Sequence, residues 1–320
     1  MKKLLPIIIL IVIAVVFIAI GISRKGKNEG KRSIAVIPKG TTHIFWQSVR
    51  MGAEKAGEEL GVEILWNGPK LETDREGQIQ IIEDFIVKKV SGFVLAPLDS
   101  QALIPSVVKM YENNTPCVII DSGIGTDKIV CFAATDNYQG GVIAARRMGK
   151  ILNGKGKIIV VKYVPGSSST TKRENGFIDT IKKEFPDIQI VDQQYGQATV
   201  ETALQATEDM LTKNTELDGL YACNAPTAVG AIQALQSQGR AKEIKMVGFD
   251  AEDALVNALK EGIIDSLVVQ NPFKMGYEGV KTIVAKLDGK QVPKHIDTGV
   301  ELVTRERLEE PKIRELLNLQ

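Results

Sequence analysis

From residue 33 onward, short apolar runs alternate with stretches whose apolar residues recur at three- and four-residue steps. The runs fall at 34–37, 62–66, 92–96, 117–120, 129–134, 157–164, 188–191, 219–223, 244–249 and 266–270. Most are continuous and rich in Val and Ile rather than alternating, which predicts parallel strands covered on both faces. Between them, Val49, Ala53, Ala56 and Leu60 mark one buried helix face, and Ile79, Ile82 and Ile86 mark a second. A third carries Leu103, Val107, Val108 and Tyr111 and is read as opening at the Asp99-Ser100 N-cap. Further helices are predicted over 140–152, 172–185, 200–213, 228–237, 251–260 and 274–287. This alternation implies an α/β, doubly wound parallel sheet. Ten runs exceed what one such sheet holds here, so two similar lobes of about five strands each are expected. The run TDNYQGG at 135–141 reads as a crossover between them. The expected division is 33–135 plus 271–299 for one lobe and 136–270 plus 300–320 for the other. Lobes tied by short crossovers open and close as a hinge.

The segment before residue 33 breaks the pattern. Lys2 and Lys3 precede nineteen almost wholly apolar residues, 4–22, and a polar spacer follows. That length lies between a usual signal peptide and a bilayer span. Residues 1–32 therefore read as an export signal or a membrane anchor, with cleavage and retention both open. No cysteine follows the segment, which removes lipid attachment there.

Composition narrows the function by exclusion. Forty basic residues against thirty-nine acidic ones give a formal charge of +1, which supplies no basic stripe for nucleic acid. The two histidines, His43 and His295, are far apart, and Cys117, Cys131 and Cys223 lack CxxC spacing. Neither set suggests a metal site, and the cysteines read as small buried hydrophobes.

The candidate chemistry stands at the strand ends, where open α/β sheets bind ligands. His43, Phe45 and Trp46 follow the first run. Asp121 and Ser122 follow CVII, Asn224 follows GLYAC, Asp250 follows MVGF, Gln270 ends SLVV, and Arg173 opens the helix after KIIVVKYVPGSSSTT. This set suits a small polyol. Carboxylates accept hydroxyl protons, Arg donates in a planar fork, Asn and Gln do both, and an aromatic face covers a sugar ring's C–H side. Taken singly, each residue has a plainer role. Asp121 and Asp250 can cap turns, Asn224 can be a turn residue, Phe45 and Trp46 can be core, and Arg173 can pair with Glu174 in solvent.

The order of motifs resembles the periplasmic sugar-binding proteins of the ribose-binding type, the solute receptors of ABC importers. IAVIPKGTTHIFWQSVRMGAEKAGEELG is similar to that family's first strand, loop and helix. VSGFVLAPLDSQAL, TPCVIIDS, TDNYQGG, KRENGF, YACNAPTAVGAIQAL and MVGFDA resemble its later motifs, over about residues 33–301. The resemblance implies two hinged lobes and ligand contacts from His43, Phe45, Trp46, Asp121, Arg173, Asn224, Asp250 and Gln270, with Ser122 beside Asp121. It also implies a monomer without cofactor, a sugar ligand, and an ABC permease as partner. Departures leave the sugar open. His43 stands where ribose binders have Asn, Ser122 where they carry Arg, and Ala225 where they carry Asp. The region near Gln197-Ala198 offers no second-lobe aromatic, so a charged donor and a stacking wall are expected to be missing.

Three other classes share this core or its pocket. A sugar-responsive repressor needs a basic helix-turn-helix ahead of the core, where this chain has an apolar run. An enzyme on this scaffold has no GxSxG, P-loop or metal cluster to work with, since GKGK at 154–157 precedes a strand instead of following one. A sensor subunit, anchored by the apolar run and reporting ligand to a membrane receptor, uses the same pocket.

Overall fold

In a computed structural model, which describes residues 31–317, each of the ten apolar runs forms a strand. They are β1 (Ser33–Ile37), β2 (Glu63–Trp66), β3 (Gly92–Leu95), β4 (Cys117–Ile120), β5 (Cys131–Ala134), β6 (Lys155–Lys162), β7 (Asp187–Tyr195), β8 (Gly219–Ala222), β9 (Lys245–Phe249) and β10 (Ser266–Gln270). Two further strands, β11 (His295–Asp297) and β12 (Val300–Thr304), had no sequence signal. Each is short, β11 mostly exposed and β12 buried only at its last two residues, so neither carries the continuous apolar run that marks the others. They raise the expected five strands per lobe to six.

The strands build two sheets of matching order, β11-β5-β4-β3-β1-β2 and β12-β10-β9-β8-β6-β7. Every pairing is parallel except β10 with β12. The central strands β3, β4 and β8 are buried at every position because helices cover both faces. In the first sheet, Ile34, Val36, Val94 and Val118 turn to one core while Ala35, Ile37, Phe93 and Ile119 turn to another. The second sheet divides its residues the same way, Ile159, Val161 and Leu220 against Ile158, Val160 and Tyr221.

The helices are α1 (Ile44–Leu60), α2 (Arg75–Val87), α3 (Ile104–Glu112), α4 (Asn137–Ile151), α5 (Ser168–Glu184), α6 (Val200–Lys213), α7 (Ala225–Ser237), α8 (Asp253–Glu261), α9 (Pro272–Leu287) and α10 (Pro311–Leu316). Asp99 does not cap α3. Its carboxylate accepts from the backbone N–H groups of Gln101 and Ala102, closing a turn, and α3 starts later at Ile104 with Pro105 in its first turn. Proline is pre-set for that position and needs no N–H there.

Three connections pass between the sheets: β5 to α4, β10 to α9, and β11 to β12. Each of the two helices so delivered packs on the other sheet's first helix, α9 on α1 and α4 on α5. Glycines permit backbone-to-backbone contact at both crossings. A Cβ on Gly52 or Gly276 would lie 1.9 Å from the carbonyl oxygen of Phe273 or Val49. A Cβ on Gly141 or Gly176 would lie 2.1 Å from that of Arg173 or Tyr138. At the third crossing, the Thr135 hydroxyl donates to the Gly299 carbonyl at 3.0 Å.

No helix among the described residues is long and apolar enough to cross a membrane. The apolar segment 4–22 lies outside those residues. The three cysteines are unpaired and buried, and burial pushes the thiols of Cys117 and Cys131 up.

Candidate functional site

The carboxyl ends of both sheets face one another across a small cavity, the place where open α/β sheets bind ligands. His43, Phe45, Trp46 and Asp121 line it from the first lobe, and Arg173, Asn224, Asp250 and Gln270 from the second. Ser122 does not line it. Its hydroxyl is taken up behind Asp121, 2.6 Å from Lys39 Nζ and 2.8 Å from Ser169 Oγ.

Two aspartates are held in the same way. Asp121 follows β4 with φ 59° and its N–H donates to Ala133, while Asp250 follows β9 with φ 69° and its N–H donates to Val268. Both lie in the left-handed region, which Asp tolerates better than most residues and which turns the side chain off the strand line. Asp250 accepts from Gln270 Nε2 at 2.5 Å and from the Ala225 N–H at 3.1 Å. Gln270 Oε1 is buried and takes no partner among the described residues.

Arg173 is not in solvent beside Glu174. It is 2% exposed, with Nε donating to Asn137 Oδ1 at 2.8 Å and Nη1 to the Cys223 carbonyl at 3.1 Å. Its guanidinium stacks 3.9 Å from the Phe249 ring centroid, and Nη1 stands 3.7 Å from Asp250. Nη2 has no partner among the described residues, which leaves one edge of the fork for a ligand. Glu174 lies behind, accepting from the Tyr163 N–H at 3.0 Å. Burial pushes its carboxyl up, against that N–H and the nearby Lys162 and Arg173. Asn224 caps α7 by accepting from Thr227, so its amide Nδ2 is the part left over.

The aromatic wall is partly fixed. Phe45 and Trp46 meet edge to face, ring centroids 4.9 Å apart. His43 caps α1, its Nδ1 accepting from the Phe45 N–H, while Nε2 reaches Glu252 of the other lobe at 3.2 Å. Burial is the largest influence on His43 and lowers its pKa. The hydrogen bond to Glu252 and the charges of Glu72, Glu252 and Asp250 together outweigh it and raise the value above 6.5.

Six further residues line the cavity, Lys39, Glu72, Tyr163, Ser169, Thr170 and Pro226, and two of them correct specific expectations. The absent charged donor is supplied by Lys39, whose Nζ lies 2.7 Å from Asp121 although it follows a different strand. Lys39 stands two residues past the first apolar run, which was its only signal. The second aromatic is Tyr163, at the end of the KIIVVKYV strand, not near Gln197-Ala198. Glu72, on the loop between β2 and α2, accepts from Trp46 Nε1 at 2.8 Å and from Tyr163 Oη at 2.9 Å. Nothing in a polar loop distinguishes such a residue beforehand. Among the described residues no His, Cys, Asp and Glu group is arranged to hold a metal ion.

A paired-lobe cavity lined by two acid–base pairs, two amides and aromatic rings on both sides agrees with the comparison to known families. The model described as "Periplasmic binding protein domain" matches residues 34–291. The chain belongs to that family. Among its periplasmic binding relatives is the D-ribose/D-allose-binding protein of Pseudomonas aeruginosa, 31% identical over 86% of this chain and 89% of the relative. A carbohydrate transporter solute binding protein from Agrobacterium radiobacter, solved with D-arabinose, superposes with a TM-score of 0.88 at 35% identity, covering 91% of this chain and all of that one. An ABC transporter solute binding protein from Agrobacterium vitis, solved with D-fucose, gives 0.86 at 38% identity, covering 89% of this chain and 99% of that one.

Proposed function

We propose that this chain is an exported solute receptor that captures one small sugar between its lobes and delivers it to an ABC importer. The observation that carries this reading is the convergence of His43, Phe45, Trp46 and Asp121 with Arg173, Asn224, Asp250 and Gln270 on one cavity from opposite sheets. Relatives bound to a pentose and to a 6-deoxyhexose support a monosaccharide. In this reading residues 33–135 plus 271–299 form one rigid lobe and 136–270 plus 300–320 the other. They hinge at the three crossings, and the protein binds its sugar without chemical change.

Binding uses the unoccupied polar groups. Arg173 Nη2 and Asn224 Nδ2 donate, Gln270 Oε1 and Asp121 accept, and the rings cover the apolar faces of the sugar. Closure buries these groups and changes the outer surface that a permease reads. A thermal-shift screen of pentoses, hexoses and sugar alcohols tests the reading. Saturation at a hundred times Kd is expected to add about 2.7 kcal/mol, and no response to any sugar at millimolar concentration refutes it.

The apolar run 4–22 favours one alternative partner for the same pocket, a membrane receptor addressed by an anchored sensing subunit. Mass spectrometry of the mature N-terminus separates the two: loss of the run removes the anchor this alternative needs.

A further inference from the structure

Glu72 lies where both lobes and both aromatic walls meet. It comes from the loop after β2, and its two carboxylate oxygens are divided between two rings. One accepts the indole N–H of Trp46, a residue of its own lobe. The other accepts the phenol of Tyr163, a residue of the opposite lobe. An indole has a single donor and a carboxylate several acceptor sites, so Glu72 fixes the tilt of Trp46 and still serves a second donor. Both rings are 2% exposed, and buried Trp and Tyr need a partner for their polar atom. Burial, then the neighbouring Glu72 carboxylate, pushes the Tyr163 phenol well up, which keeps it a donor. Room for the arrangement comes from Gly40, where a Cβ would stand 2.9 Å from Glu72 Cγ.

We propose that Glu72 is the positioning residue of the site, a carboxylate that sets the Trp46 ring and registers lobe closure by accepting the Tyr163 phenol. When the lobes part, the Trp46 bond stays within the first lobe and the Tyr163 bond is lost. Closure on a sugar therefore locks the two aromatic walls to each other through one side chain. This rests on the sugar-receptor reading above.

The test uses the full chain with indole nitrogens labelled, which gives only two signals, Trp46 and Trp66; Trp46→Phe assigns them. D-ribose, D-arabinose, D-allose and D-fucose are titrated, and Kd and the Trp46 signal are followed together. In Glu72→Gln the Trp46 signal is expected to move before any sugar is added, and Kd to rise about tenfold, the scale of one hydrogen bond to a charged group. In Tyr163→Phe the sugar-free signal is expected to keep its position, while the sugar-induced shift falls and Kd rises several-fold. The double variant is expected to match Glu72→Gln within about twofold, because the two residues act as one unit. Gly40→Ala, which displaces Glu72 without touching its chemistry, is expected to fall between wild type and Glu72→Gln. Wild-type affinity and sugar-induced shift in Glu72→Gln overturn the proposal, as does weakened binding in Glu72→Gln with Tyr163→Phe unchanged. Failure of the wild type to bind these four and every other pentose, hexose and sugar alcohol of the screen above instead overturns the receptor reading, and this inference with it.

Discussion

Both lobes set an aspartate at the end of their fourth strand and a cation in the segment after their first, yet they use the pair differently. In the first lobe Lys39 Nζ is surrounded by Asp121, Ser122, Ser169 and, at 3.5 Å, Ser167. An ammonium has three donors, so this cation is saturated. In the second lobe Arg173 is clamped at Nε and Nη1 by Asn137 and Cys223 and approaches Asp250 only to 3.7 Å, with Nη2 uncommitted. Equivalent positions in matching sheets thus give one cation with no donor left over and one with an edge open to a ligand. A count of charged residues in the cavity would not separate the two.

Breaking the saturated pair is expected to have the largest effect, and on stability. Lys39→Met leaves Asp121 buried and unpaired and should cost about 3–5 kcal/mol in urea unfolding. Lys39→Met with Asp121→Asn should recover most of that, since neither partner is then left charged. Equal losses in both variants would mean that the ion pair is incidental. On the other wall the effect should fall on binding. Asp250→Ala removes the acceptor for Gln270 and the Ala225 N–H, and Arg173→Ala removes the open fork. Each is expected to weaken sugar binding by about 3 kcal/mol, more than a hundredfold in Kd by calorimetry. Full binding by both variants would show the pocket to be misassigned.

Gly52→Ala and Gly141→Ala compare the two helix crossings. Each should cost about 1–3 kcal/mol from overpacking, read as a lowered thermal midpoint. A loss confined to one of them would break the equivalence of the lobes.

The smallest effect is in pH. The folded pKa of His43 is raised, so its contribution to stability is complete below about 6.5 and is lost as pH rises through the higher folded value. Protonation at Nδ1 also deprives the Phe45 N–H of its acceptor, which should hold the gain below about 1 kcal/mol. Stability profiles of wild type and His43→Gln should converge at alkaline pH, and a gap that widened there would reverse the assignment.

The strands and the class of fold were legible because burial on both faces writes itself as uninterrupted Val and Ile. Strands β11 and β12 were not, because edge strands of three and five residues, largely outside the buried core, leave no such run. At the site, residues directly after an apolar run were legible by place alone. Lys39 has that place too, but a lysine two residues past a strand looks like any solvated lysine until its four oxygen neighbours are known. Glu72 was beyond reach, since its role depends on the distance between two rings from different lobes.

The crossing of α9 onto α1 bears on how the chain is made. Roughly 210 residues separate Leu60 from Pro272, and at about 5–20 residues per second the helix that completes the first lobe emerges some 10–40 seconds after the one it covers. Until then the first sheet lacks its edge strand β11 and one face of its cover. The first lobe therefore cannot finish folding on the ribosome before nearly the whole chain has been translated. For the exported receptor proposed above, such late completion would favour a state that can still be translocated.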